Sequence, residues 1–297
     1  MTAVRLITAC AMLSMGLSCA PRSKRVLGQL PPHAACDRQC LTQLVDRYLA
    51  ALIAHAPARL PIAREARFTE NGHELHLGEG LWQSTLRPAS YRVYIADPDS
   101  GVVAVQTVLY QGADTLQVLV RLAVRDTLIR EVETLIARKG DTCCWSPTTL
   151  DSLPPSFAED LPSNAIRSRP ELLAIVDGYF TALHTGGTAD YRPAKVDDRT
   201  TRWENGQRTT NVAGGNRIIS VSAPVQMDQG MFAPLQVMNR RYLAVDAQKG
   251  TVLAIVLFNQ PERQRPTTII AEFFKIASGT IREIRAVMVS SDSTGWR

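Results

Sequence analysis

The 297-residue chain lacks most of the signatures that announce a chemistry. It has no Gly-x-Ser-x-Gly elbow, no phosphate-binding loop, no dinucleotide fingerprint and no His-Glu-x-x-His. Gly214-Gly215 marks a turn, not a phosphate cradle. Lys and Arg number 33 against 28 Asp and Glu, a net charge of +5. These cations are spread thinly and are not interleaved with aromatics, which argues against a nucleic-acid partner. Cys-x2-Cys knuckles are missing as well. A Cys36-x3-Cys40 spacing and a vicinal Cys143-Cys144 pair fit a zinc site poorly, so neither metal nor cofactor is expected. The apolar run Leu6 to Leu17 is too short to span a bilayer.

What is present begins with that run. It follows Arg5 and precedes the small residues Ser18, Cys19 and Ala20, the layout of a signal peptide over residues 1–20. Two cleavages fit. Gly16-Leu17-Ser18-Cys19 approximates a lipobox with Gly16 where Leu is usual, which would make Cys19 a lipidated first residue. Alternatively, Ser18-Cys19-Ala20 is an ordinary small-x-small site, set awkwardly before Pro21. Either way the expected location is extracytoplasmic: secreted, periplasmic or lipid-anchored, with membrane contact only through the anchor. In an oxidising compartment Cys36, Cys40, Cys143 and Cys144 read as disulfide cysteines. A bridge between the two ends of the first unit would close a loop of about 100 residues and contribute about 3–5 kcal/mol in the chain-entropy model.

Residues 21–35 read as a tether. From Leu41 to His55 apolar residues recur at helical spacing, with Asp37 as N-cap and Pro57 as terminator. Leu60 to Ala63 reads as a connector and Ala66 to Thr69 as a short strand. Asn71-Gly72 is a two-residue hairpin signal, and Glu74 to Leu77 is its partner. A short helix is expected at Leu81-Trp82. Strands follow at 90–96, 102–110, 116–125 and 129–137, joined by short turns that imply an antiparallel sheet. Residues 36–140 thus form a first domain. The Pro-rich stretch 141–169 reads as a semi-rigid linker and 170–292 as a second domain. There a helix starts at Pro170-Glu171 and stops at Gly186-Gly187, and strands are expected at 218–224, 236–246, 252–259, 267–276 and 281–290.

The two domains are copies. Val45-Asp46-Arg47-Tyr48 matches Val176-Asp177-Gly178-Tyr179, and Glu70-Asn71-Gly72 matches Glu204-Asn205-Gly206. Arg130-Glu131-Val132 matches Arg282-Glu283-Ile284. The offset between copies grows only across loops, as expected where strands are kept and loops vary.

One long helix, a hairpin and a run of long strands resembles the NTF2-like superfamily, here as tandem SnoaL-like domains. The run Arg67-Phe68-Thr69-Glu70-Asn71-Gly72, continuing to Leu77-Gly78-Glu79-Gly80-Leu81-Trp82, resembles a family of uncharacterised secreted proteins of that class. The resemblance implies an α+β fold of two cone domains, each with an N-terminal amphipathic helix and a curved sheet around a conical pocket. It implies binding of a small apolar or partly polar organic ligand, with cofactor-independent isomerase, dehydratase or hydrolase chemistry in some members. Other members are non-enzymatic binding or dimerisation modules, so a homodimer is an alternative outcome. Fold alone does not choose between these.

Each candidate site residue carries two readings. Glu70 and Glu204 are either acid-base carboxylates at a pocket mouth or solvated residues of a hairpin tip. His73 is an inward base or ordinary surface, and Gln207 stands near its place in the second copy. Tyr48 and Tyr179 lie on helix stripes, as core residues or as hydrogen-bond donors to a ligand. Asp46 is a helix-to-loop tie or a pocket carboxylate. Trp82 and Trp203 are core or pocket wall. The catalytic set expected in the first domain is Glu70, His73 and Tyr48, with Trp82 and Asp46 lining the pocket; Tyr179, Trp203 and Glu204 are the second copy.

Overall fold

In the computed structural model, residues 36–150, 153–184, 194–233, 235–260 and 266–292 are described. The expected signal peptide, the tether and the Gly186-Gly187 stop lie outside them. The first domain opens with α1 (Arg38–Ile53), capped by Asp37, whose carboxylate accepts the Cys40 N–H at 2.8 Å. Strands β1 (Ile62–Glu70), β2 (His73–Leu75), β3 (Leu86–Asp97), β4 (Val102–Gln111), β5 (Asp114–Arg125) and β6 (Leu128–Ala137) follow. The second domain has α3 (Arg169–His184), β7 (Thr201–Glu204), β8 (Gln207–Arg208), a short helix α4 (Ala223–Asp228), β9 (Gln236–Asp246), β10 (Thr251–Asn259), β11 (Thr267–Ala277) and β12 (Thr280–Ser291). At the start of α3 the Glu171 carboxylate accepts both the Ser168 N–H at 2.8 Å and the Ser168 hydroxyl at 2.5 Å. No helix among the described residues is long and apolar enough to cross a membrane.

Each domain is a six-stranded sheet in the same order, β2-β1-β6-β5-β4-β3 and β8-β7-β12-β11-β10-β9. One α+β cone plan is therefore built twice. The sheets are mixed, not antiparallel throughout. β1 runs parallel to β6 and β7 parallel to β12, a long-range pairing that short turns cannot reveal. The connector expected at 60–63 already belongs to β1 from Ile62 onward. The strand expected at 218–224 is instead a turn leading into α4. Asn216 Oδ1 accepts the Ile218 and Ile219 N–H groups, and Pro224 sits in the first turn of the helix, where its missing N–H costs nothing.

Alternation along the strands divides the molecule into three apolar cores. Leu116, Val118, Val120 and Leu122 of β5 turn toward α1 and pack with Leu44, Val45, Tyr48 and Leu52. Ile270, Phe274 and Ile276 of β11 turn toward α3 and pack with Val176, Tyr179 and Phe180. The opposite faces meet each other: Val93, Ile95 and Leu119 pack with Ile255, Ile269, Phe273 and Val287. These two sheet faces thus cover each other within the chain. α2 (Pro155–Ala158), in the connecting segment, sends Phe157 into this middle core, where it is 2% exposed.

Charges tie the halves reciprocally. Arg38 at the start of α1 pairs with Asp246 of the second sheet at 2.7 Å, and Arg169 at the start of α3 pairs with Asp97 of the first at 2.7 Å. Asp97 also accepts the Val245 N–H at 2.9 Å, and its carboxyl is held below its usual range despite burial, by Arg169, Ser100 and that N–H. Deeper in, Glu133 of β6 bridges Arg121 of its own sheet and Arg241 of the other.

The cysteines pair differently from the bridge expected between the two ends of the first domain. Cys36 and Cys40 bond to each other across the first turn of α1, with Cα atoms 5.2 Å apart. Cys143 and Cys144 remain thiols.

Candidate functional site

The recurring Glu-Asn-Gly positions are hairpin turns with a further duty. Asn71 and Gly72 have φ of 49° and 84°, and Asn205 and Gly206 have 43° and 79°, the conformation that Asn-Gly adopts most readily. Each Asn side chain then behaves as an added strand residue. Asn71 accepts the Ile136 N–H at 2.7 Å and donates to the Ile136 carbonyl at 3.3 Å. Asn205 does the same with Met288, at 2.8 and 2.9 Å. The Asn thereby extends the parallel pairing beyond the strand end.

In the first cone the expected site is closed. Tyr48 and Trp82 are buried edge to face, ring centroids 5.4 Å apart, with the indole N–H donating to the Tyr48 hydroxyl at 3.2 Å. Burial pushes the Tyr48 hydroxyl far above its usual range. Glu70 accepts the Leu81 N–H at 2.9 Å, capping the 3-10 turn Gly80–Gln83. Gly80 lies against that carboxylate at φ 61°, where an added Cβ would sit 2.6 Å from Glu70 Oε2. Burial raises the Glu70 carboxyl, opposed by the Leu81 N–H and by Arg138. A cavity lined by Tyr48, Phe68, Glu70, His76 and Trp82 measures about 20 Å³, room for about one water. His73 points away from it and pairs with Asp292 at 2.9 Å in solvent. Asp46 faces β3, accepting from Arg92 and the Tyr94 hydroxyl at 2.7 Å each. Asp177 repeats this clamp with Arg240 and Tyr242.

The second cone is different. Arg202 and Glu204 of β7 and Glu272 of β11 all turn inward. Register places Glu204, Ala286, Glu272 and Ala254 in one row across four strands, the small Ala286 leaving space between the two carboxylates. Glu204 and Glu272, on alternate strands, have backbones about 10 Å apart. Arg202 is 4% exposed and binds Glu204 at 2.9 Å, Gln226 Oε1 at 2.6 Å and Thr209 Oγ1 at 3.2 Å, with Tyr179 also in hydrogen-bond contact. Its guanidinium lies 5.0 Å from the Phe232 ring centroid. Glu272 is 3% exposed, and its Oε2 has no hydrogen-bond partner among the described residues. Burial, reinforced by Glu204 and opposed by Arg202, pushes its carboxyl up to about 8. It is therefore protonated at neutral pH, and the cone carries a balanced Arg202–Glu204 pair beside a neutral acid.

A cleft of about 400 Å³ opens at the mouth of this cone, lined by Thr142, Cys143, Leu235, Phe258, Thr268 and Met288 among others. Ile270 and Met288, paired across β11 and β12, lie one step nearer the mouth than Glu272 and Ala286. Trp203 is not part of this site. It stands one residue before Glu204, so strand alternation puts it on the opposite face, under Arg285 at 5.0 Å.

Sequence reasoning did not single out Arg202, Gln226 or Glu272 as site residues. The available signal was parity. In the apolar run 269–274, Glu272 shares the inward face with Ile270 and Phe274 and breaks it with a charge.

Three solved structures are similar to parts of the chain. A candidate ketosteroid isomerase from Kribbella flavida DSM 17836 is similar at 19% identity and a TM-score of 0.31, over 42% of this chain and 97% of that one. AclR, a candidate hydroxylase from Streptomyces galilaeus, is similar at 11% identity and a TM-score of 0.29, over 38% and 93%. A de novo designed protein with a curved β-sheet is similar at 12% identity and a TM-score of 0.30, over 42% and 89%. No curated protein matches the chain. The model of the family described as "Domain of unknown function (DUF8021)" matches residues 34–136 and again 166–288. The chain belongs to that family, carrying its domain twice.

Proposed function

We propose that this is an exported small-molecule-binding protein in which the second cone is the working site and the first is its scaffold. The observation that carries the reading is Glu272: a buried carboxyl whose Oε2 has no hydrogen-bond partner among the described residues, below a cleft of about 400 Å³. Such a group is costly to keep unless something uses it. Because Arg202 is neutralised by Glu204, the cone favours an uncharged organic ligand with a carbonyl or hydroxyl aimed at Glu272 and an apolar body against Phe258, Leu235 and Met288. A ligand reaching Glu272 passes Met288, whose unbranched side chain rearranges at low cost. At neutral pH Glu272 would donate its proton to a ligand oxygen and take one back, the core of cofactor-independent isomerisation or dehydration. Export rests on the apolar run at residues 6–17.

The test is native mass spectrometry of the purified chain for a co-purifying molecule, joined to thermal shifts against a panel of neutral carbonyl compounds. Support is a bound species or a Tm rise that Glu272→Gln abolishes and Glu70→Gln preserves. The proposal fails if no compound binds, or if binding is indifferent to Glu272. In that case the alternative of a non-enzymatic envelope module stands, favoured by the sealed first cone.

A further inference from the structure

The vicinal thiols lie apart from the Glu272 pocket yet touch its edge. Cys143 and Cys144 follow β6 in the connecting segment, and their sulfurs are 2.9 Å apart. Cys144 is buried and donates to Glu204 Oε2 at 3.4 Å, while Cys143 is exposed and lines the cleft at the cone mouth. The three donor atoms lie within 4.8 Å of one another. This proximity is invisible in sequence, because Glu204 arrives from the second domain. The loop is pinned there independently: Ser146 N–H donates to the Asn205 carbonyl at 2.9 Å and Asn205 Nδ2 to Thr142 Oγ1 at 3.0 Å.

From this cluster we infer that Cys143, Cys144 and Glu204 form a binding site for one thiophilic divalent cation of the zinc or cadmium class, with its remaining position open to the cleft. Two sulfurs and one carboxylate oxygen suit a borderline-soft d10 ion better than calcium or magnesium. Three protein ligands leave one tetrahedral position for water or an exogenous ligand. Tetrahedral ligation at about 2.3 Å would set the sulfurs about 3.8 Å apart, against 2.9 Å in this structure. Arg202, bound to Glu204 at 2.9 Å, supplies the outer contact that orients the carboxylate. Binding exchanges two thiol protons for the cation: two S–H bonds break, two sulfur–metal bonds form, and two protons leave to solvent. The inference does not depend on Glu272 being the ligand-facing acid.

The experiment is anaerobic titration of the thiol-reduced full chain with Co²⁺ as a spectroscopic stand-in. The expected result is saturation at one equivalent, a thiolate-to-cobalt charge-transfer band, and proton release that raises affinity with pH. Cys143→Ser/Cys144→Ser should abolish the band, Cys36→Ser/Cys40→Ser should preserve it, and Glu204→Gln should weaken binding at least about tenfold. Absence of a saturable band in the wild-type chain, or its persistence in Cys143→Ser/Cys144→Ser, overturns the site. Cys143→Ser alone, at an exposed position, keeps the comparison valid should the double variant fold poorly.

Discussion

The two cones share a plan and differ in what fills them. Where the second cone has Arg202 and Glu272, the first has Phe68 and Val120 at the corresponding strand positions, beside Thr134 and Val132. Tyr48 corresponds to Tyr179 and Glu70 to Glu204, so the helix tyrosine and hairpin glutamate are common to both. In the first cone they are absorbed by neighbours: Trp82 takes the tyrosine hydroxyl and the Leu81 N–H takes the glutamate. In the second, no 3-10 turn follows the hairpin among the described residues, and Glu204 engages Arg202 and Cys144 instead. The difference teaches that a repeated residue is not a repeated role. Repetition at Glu70 and Glu204 marks the start of a parallel strand pair, and the partners decide the rest.

This contrast can be broken most forcefully at Arg202. Arg202→Met leaves Glu204 without its buried partner and should cost about 3–5 kcal/mol, read as a fall in urea midpoint. A loss under about 1 kcal/mol would mean the pair is solvated and the second cone is not a charged interior. Next come the shared asparagines. Asn71→Ala and Asn205→Ala each remove two hydrogen bonds and place alanine at positive φ, and each should cost about 2–3 kcal/mol. Similar losses in the two halves would confirm a common architectural duty; a loss confined to one half would refute it.

The pH dependence is the third test, and its sign is unusual for a carboxyl. Glu272 holds its proton in the folded chain up to about 8, against an ordinary value of 4.5. Folding therefore takes up a proton between those limits, and this group's contribution to stability falls as pH rises through that window and is constant outside it. Urea unfolding at pH 5 and pH 8 should show a steeper decline for the wild type than for Glu272→Gln, which at pH 8 should be the more stable protein. Smallest of all is Glu70→Gln. The amide oxygen still accepts the Leu81 N–H, so stability should change by less than about 1 kcal/mol. A large effect would reopen the first cone as a site.

Much of the fold was legible because it is written locally. The stripe from Leu41 to Ile53 buries one helix face, and β9, β10 and β11 fall close to their apolar alternation. Asn71-Gly72 and Asn205-Gly206 turn as their conformational freedom dictates. What could not be read was long-range. The parallel pairing of β1 with β6 joins Phe68 to Val132 across 64 positions with no pattern to announce it. Trp203 shows how little it takes to misplace a side chain: an aromatic before Glu-Asn-Gly recurs in both copies, yet Phe68 stands two residues before its Glu and Trp203 only one, and they face opposite ways. The cluster of Arg202, Gln226 and Glu272 draws on three separate elements, so only the folded chain assembles it.

The reciprocal pairs Arg38–Asp246 and Arg169–Asp97 have a consequence of another kind. In an assembly of two identical chains every substitution is made twice, and a costly buried acid would burden both halves. Here the symmetric arrangement is held within a single polypeptide. Dilution does not separate the halves, and one cone is free to carry charges at its centre while the other, unchanged, keeps the whole folded.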